Sequence, residues 1–397
     1  MKNLERFIKY AKIWTTSDDN SHVTPSAERE KDLSRVLVKD LKELGVKDAY
    51  MDEWGNVYGH LPGEGVKIGL NAHIDTATNI SGKDVKPQII KNYQGGDIKL
   101  NENYMLSPFV FPHLNDCHGS DIVVTSGDTL LGADDKAGIA IIMGVLSYFK
   151  EHPEVKHHPI SICFTVDEEI GEGHLHFDVK KMDAEFAYSI DGGPIDCIDY
   201  ENFNARGAEV EITGVAIHPG EGKGKLINAL LLLNELLDMM PKNDTPFDSE
   251  GYEGYWHVEN IEGNSENVKA SFIFRDFDLG KLIKRTDLLE KNIEVLREKY
   301  PNCTFKCHIE EQYFNMKQYV EKRMEIIELA KKAMIENGIT PKSTPIRGGT
   351  DGATFSRMGL ITPNLGTGSY NHHGRFEYLV VDEFNKMIDI VVSIFKI

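Results

Sequence analysis

The sequence has little that would staple a small secreted fold or seat it in a membrane. Its five cysteines, Cys117, Cys163, Cys197, Cys303 and Cys307, are scattered and odd in number, which argues against a disulfide framework. Cys303 and Cys307 have no second pair to complete a zinc finger, and with Phe305 and Ile309 they alternate as one face of a strand does. No apolar run approaches the length of a membrane span. The first residues lack the apolar core of a signal peptide; Leu4, Phe7, Ile8 and Ala11 follow helical spacing with charges between them. A cytoplasmic location is the expectation. Basic charge is scarce too: 44 Lys and Arg against 63 Asp and Glu leave a formal net charge of −19, with no basic run to offset it. Such a surface repels nucleic acid and anionic lipid, so neither is expected as a partner. His-Glu-x-x-His and Gly-x-Ser-x-Gly are absent, and the glycines around Lys223 and Lys225 lack the spacing, and the following Ser or Thr, of a P-loop.

What is there suits two domains: 397 residues, 41% of them apolar, with no repeat or low-complexity segment. Pro25 and Ser26 read as the opening of a helix with a stripe of Leu33, Val36, Leu37, Leu41 and Leu44, stopped by Gly45. Residues 66–75, 159–166 and 185–190 read as strands, the last two apolar enough to be interior, and 136–150 as a helix between strands. This alternation predicts an α/β sheet with helices on both faces. Near Gly207 the texture changes. Residues 209–213 alternate polar and apolar, a Leu-rich helix follows over 225–240, then a strand at 270–275 and a helix over 279–300, which together predict a compact α+β unit. From about residue 318 the earlier style returns, ending in a helix from 382.

Ion-binding residue types recur at strand ends. His73 and Asp75 lie two apart and share a strand face, the arrangement by which a carboxylate fixes the tautomer of a metal-bound imidazole. Leu131-Gly-Ala-Asp-Asp-Lys-Ala-Gly138 leads into a helix, where Asp134 or Asp135 is either a helix cap or a carboxylate shared between two cations. Asp167, Glu168 and Glu169 follow an apolar strand, and three such acids ionise together only with cations nearby; otherwise one keeps its proton, its pKa raised. Asp191 ends another apolar strand, and His372 and His373 sit in a Gly-flanked loop. Ligand sites in open α/β sheets lie beyond the carboxyl ends of the strands, so these five places predict a metal centre. Imidazole and carboxylate without thiolate suit Zn, Mn or Co better than a structural zinc. His174 and His176 read as surface residues rather than ligands.

The runs Asn71-Ala-His-Ile-Asp-Thr-Ala77, Leu131 to Gly138, Phe164-Thr-Val-Asp-Glu-Glu-Ile-Gly171, Ser189-Ile-Asp-Gly-Gly193, Pro345-Ile-Arg-Gly-Gly-Thr-Asp-Gly-Ala353 and Asn371-His-His-Gly374 resemble the metal-site motifs of the two-metal aminopeptidases, carboxypeptidases and deacylases. With Glu201-Asn-Phe-Asn-Ala205, His218-Pro-Gly220, Gly251-Tyr-Glu-Gly254 and Arg275-Asp-Phe-Asp278, the full set resembles the tripeptide-cleaving aminopeptidase branch over nearly the whole chain. The resemblance implies an α/β catalytic domain with a mostly parallel mixed sheet, residues 1–205 and 318–397, enclosing a smaller α+β lid over 206–317. It implies one metal held by His73, Asp134 and Asp191, and a second by Asp134, Glu169 and His373, with His372 beside it as the rival ligand. Glu168 would be the general base, Asp75 the partner of His73, and His218, Arg275 and Arg347 the substrate-binding residues. A cis peptide between Asp134 and Asp135 is implied as well. The expected activity is release of the N-terminal residue from tripeptides by a hydroxide bridging two divalent ions, zinc first, with Mn or Co as alternatives. A dipeptidase, a carboxypeptidase or an N-acyl-amino-acid deacylase on the same fold is the rival reading. Short peptides are the expected partners, and a homodimer is compatible with the resemblance.

Overall fold

Ile68–His73 and Ile160–Thr165, two of the apolar runs, are buried at every position, so the sheet they form is covered on both faces. A computed structural model describes the chain over residues 1–397. The main sheet runs Tyr50–Met51, Val57–Leu61, Ile160–Thr165, Ile68–His73, Phe186–Ile190, Asn364–Leu365, Ile198–Asp199. Its four central strands are mutually parallel and the flanking ones antiparallel, the mixed, parallel-cored sheet expected. Ala133–Glu151, apolar nearly all round, packs on Ile68–His73 and Phe186–Ile190 and against the helices Asn3–Ala11 and Val381–Phe395. No helix of the chain is long and apolar enough to cross a membrane.

Two strands from the segment before the Ala133–Glu151 helix and two from near the C-terminus form a small sheet that periodicity did not reveal. Gln88–Ile90, Ile122–Val124, Tyr378–Val380 and Ser369–Tyr370 form it, all antiparallel, around a core of Leu106, Leu114, Ile122, Val124 and Tyr378. Strands of two or three residues are too short to show an alternation. This sheet carries the loop on which His372 and His373 sit.

The chain divides into two compact units, one of residues 1–200, 316–344 and 350–397, the other of 201–315 and 345–349. In the second, four antiparallel strands run Tyr255–Gly263, Asn267–Asp276, Asn204–Thr213, Thr304–Tyr313, with the helices Ala229–Met239 and Leu279–Lys299 packed on them. Asn267–Asp276 buries every second residue, and Val268, Ala270, Phe272 and Phe274 join Leu232, Leu236, Leu289 and Ile293 in that unit's core. Cys307 packs against the same core from Thr304–Tyr313, and all five cysteines are unpaired.

Two helix starts differ from the expectation. The second helix is Glu30–Glu43; residues 26–29 form a bend and a turn ahead of it, with the Ser26 N–H given to the Asp167 carboxylate at 2.8 and 2.9 Å. The Leu-rich helix begins at Ala229, where Asn228 caps it by accepting the Leu230 N–H, while Ile227 pairs with Val215. Gly45 does end the second helix, at φ 106°.

Candidate metal centre

Four of the five acidic or imidazole runs lie at one end of a buried element. His73 ends Ile68–His73, Asp191 follows Phe186–Ile190, Glu168 and Glu169 follow Ile160–Thr165, and Asp134 sits at the start of Ala133–Glu151. The Asp134–Asp135 peptide is cis, as the resemblance implies. Two groups of donor atoms result, His73 with Asp134 and Asp191, and Asp134 with Glu169 and His373, each with all its atoms within 4.8 Å of one another. Asp134 belongs to both. Its Oδ1 lies 2.9 Å from His73 Nε2, and its Oδ2 lies 3.1 Å from His373 Nε2, which is 2.9 Å from Glu169 Oε2.

The neighbouring residues sort themselves by hydrogen bonding. Asp135 is the helix cap of the two alternatives: its Oδ1 accepts the Gly138 N–H at 3.1 Å and its Oδ2 the His73 N–H at 3.2 Å. His372 hydrogen-bonds Ser369 Oγ through Nε2 at 2.8 Å, and its Nδ1 stays 3.6 Å from Asp134, outside both groups. Asp75 is fully buried and lies 3.3 Å from His73 Nδ1 through Oδ1, which leaves His73 Nε2 facing the donor cluster. The same carboxylate accepts the N–H of Glu168 at 3.1 Å, the N–H of Glu169 at 3.0 Å and the Ser17 hydroxyl at 2.5 Å. Glu168 Oε2 lies 4.0 Å from His73 Nε2 and joins neither donor group.

The electrostatics are those of a site short of positive charge. Burial, with the Asp134 charge beside them, pushes the carboxyls of Asp191 up to about 6 and Glu169 up to about 7. Burial raises Glu168 well above the usual range, against the pull of His73. Burial opposes ionisation of Asp134 as well, yet His372, His373 and His73 hold it well below that range. Hydrogen bonds to Asp134 and Glu169 lift His373 up to about 11. One oxygen of Glu169, Oε1, is buried with no hydrogen-bond partner. An orphaned carboxylate oxygen among surplus buried acids and imidazoles is what divalent cations would satisfy, so these residues fit a pair of them.

The three expected substrate residues lie in the second unit. His218 Nδ1 accepts the Gly220 N–H at 3.2 Å. Arg275 Nη1 donates to Phe274 O at 2.9 Å, and its guanidinium stands 5.2 Å from the centre of the Tyr313 ring. Arg347 donates through Nη1 to the carbonyls of Gly251 and Glu253, at 2.7 and 2.9 Å, and through Nη2 to Ser249 Oγ at 2.8 Å. Sequence reasoning overlooked Ser17, Asp351 and Glu377. Glu377 stood in the histidine run and had a signal; an isolated Ser17 had none.

Residues 130–396 match the model of peptidase family M20/M25/M40. Peptidase T of Clostridium perfringens (strain 13 / Type A) is 46% identical over 397 residues, covering 99% of this chain and 98% of its own, and Peptidase T of Bacillus subtilis (strain 168) is 45% identical over 99% and 97%. Among solved structures, aminopeptidase PepT from Bacillus cereus ATCC 10987 superposes with a TM-score of 0.78 at 22% identity, over 99% of this chain and 96% of that one. A tripeptidase from Staphylococcus aureus subsp. aureus mu50 gives 0.80 at 20% identity with the same coverage, and both show the shared fold. The chain belongs to peptidase family M20/M25/M40 and is a metal-dependent hydrolase of peptide bonds.

Proposed function

We propose that the chain is an aminopeptidase that releases the N-terminal residue of tripeptides, using two divalent cations. His73, Asp134 and Asp191 would hold one, and Asp134, Glu169 and His373 the other. The observation that carries the reading is the division of Asp134, one oxygen toward each donor group. Zinc suits the imidazole and carboxylate donors, with manganese and cobalt as alternatives. When bound, such ions polarise a scissile carbonyl and lower the pKa of an attacking water.

The chain's own residues supply the rest. Glu168 stands outside the donor groups, so its oxygens are free to take a proton from water and return it to the leaving amine. Asp75 holds the N–H groups of Glu168 and Glu169 on its two oxygens, which fixes base and ligand side by side. Because His218 Nδ1 accepts from Gly220, its neutral ring carries the proton on Nε2, the atom that would donate to a developing oxyanion. With Nη1 of Arg347 given to two carbonyls and Nη2 to Ser249, its Nε–H remains for a peptide carboxylate. A guanidinium that takes the C-terminal carboxylate would select peptides with a free C-terminus over amidated ones. The five unpaired thiols support a reducing, cytoplasmic setting.

The test is kcat/KM for di-, tri- and tetrapeptides, an amidated tripeptide and N-acyl amino acids, with the metal-loaded protein. Preference for the free tripeptide is expected. Preference for N-acyl amino acids would make the chain a deacylase instead, and indifference to length and amidation would remove the arginine-based selection.

A further inference from the structure

Glu377 is 1% exposed, and its carboxylate collects three backbone N–H groups from a single loop. Oε2 accepts from Leu131 and Gly132, each at 2.8 Å, and Oε1 accepts from Asp134 at 2.9 Å. These donors stand in the loop that leads into Ala133–Glu151, where the backbone of Asp134 is not yet helical and its N–H groups depend on a partner outside the helix. Glu377 also closes the histidine loop. Its own N–H bonds to Gly374 O at 3.3 Å, and Asn371 Nδ2 donates to Phe376 O at 3.1 Å across the same turn. One side chain therefore ties the segment carrying Asp134 to the segment carrying His373.

We infer that Glu377 is a positioning residue for the Asp134–Glu169–His373 donor group, acting through the backbone of Asp134 and the loop of His373 without itself contacting a cation. The two groups depend on it unequally. In the first, His73 and Asp191 stand at the ends of buried strands and only Asp134 leans on Glu377. In the second, Asp134 and His373 both lean on it, and Glu169 alone is anchored elsewhere, by Asp75. Weakening Glu377 should release the second cation before the first.

The inference rests on the two-cation reading, and the experiment separates the two. Apo wild type, Glu377→Gln and Glu377→Asp are titrated with Co2+ and Zn2+, following bound metal per chain at fixed free-metal concentrations and the visible spectrum of the cobalt forms. Glutamine turns one acceptor oxygen into a donor that faces a backbone N–H. Partners that orient metal ligands typically contribute 10–100-fold in affinity, so in Glu377→Gln the second equivalent should bind at least about tenfold more weakly while the first changes less. Glu377→Asp keeps the charge at a longer reach and should fall between, and it carries the comparison if the glutamine variant does not fold. A wild type that takes two equivalents, with variants that take both unchanged or lose both in parallel, would overturn the inference alone. A wild type that takes only one would overturn the two-cation reading and this inference with it.

Discussion

Glu168 and Glu169 are chain neighbours with different surroundings, and the difference is testable at single-residue resolution. Glu169 lies in a donor group with one oxygen unpartnered, whereas Glu168 lies in neither group. Glu168→Ala should abolish turnover and keep two metal equivalents; Glu169→Ala should lose the second equivalent. Equal metal loss in both variants would remove the distinction. Asp351 makes a second case. It is 5% exposed, accepts the Thr165 hydroxyl at 2.6 Å, and burial pushes its carboxyl up to about 7. A folded-state pKa raised above the unfolded one means that its contribution is fully present below the unfolded value and is lost as pH rises through about 7. In metal-free protein, Asp351→Asn should therefore melt above wild type at pH 8, with the gap closing toward pH 4. A lower melting temperature for the variant at both pH values would show that the buried charge is not the cost assigned to it.

At the scale of elements, the site depends on how closely Ala133–Glu151 approaches Phe186–Ile190. A Cβ on Gly138 would meet Ile190 O at 1.9 Å and Asp135 Oδ1 at 2.4 Å. Gly138→Ala must push the helix from the strand end that leads into Asp191, and overpacking of this kind costs about 1–3 kcal/mol. Lower stability by denaturant titration and lower kcat/KM are expected together; a variant with wild-type stability would mean the approach is looser than described. These elements were legible in the sequence because buried parallel strands and an apolar helix leave long unbroken runs; His73, Asp134, Glu169 and Asp191 were legible because each adjoins such a run, and His373 because it is one of two histidines in a Gly-flanked loop. Glu377 stood in the histidine run, but its role did not show there, since its oxygens accept from N–H groups 243 to 246 residues away, a relation that no periodicity records. Ser17 is hidden for the same reason, meeting Asp75 across 58 residues. The small sheet around Ile122–Val124 was hidden because its strands are too short to alternate visibly.

For the whole molecule, all five donors belong to one of the two compact units, and the second unit has a core of its own. Metal binding should then stabilise selectively. Ligand present at 100 times its dissociation constant adds about 2.7 kcal/mol to the state that binds it. Chelation should speed amide exchange at residues 131–138, 167–171 and 371–377 and leave the Asn204–Thr213 strand unchanged; uniform loss of protection across both units would contradict this. The central claim is that two cations shared by Asp134 make the chain a peptidase of N-terminal residues. Its most direct test is to add zinc, cobalt or manganese stepwise to the chelated protein while following release of the N-terminal residue from a tripeptide. The account predicts activity that is absent with the chelator, remains low at one equivalent and levels off at two. Full activity at one equivalent, or turnover that persists in the chelator, would contradict it.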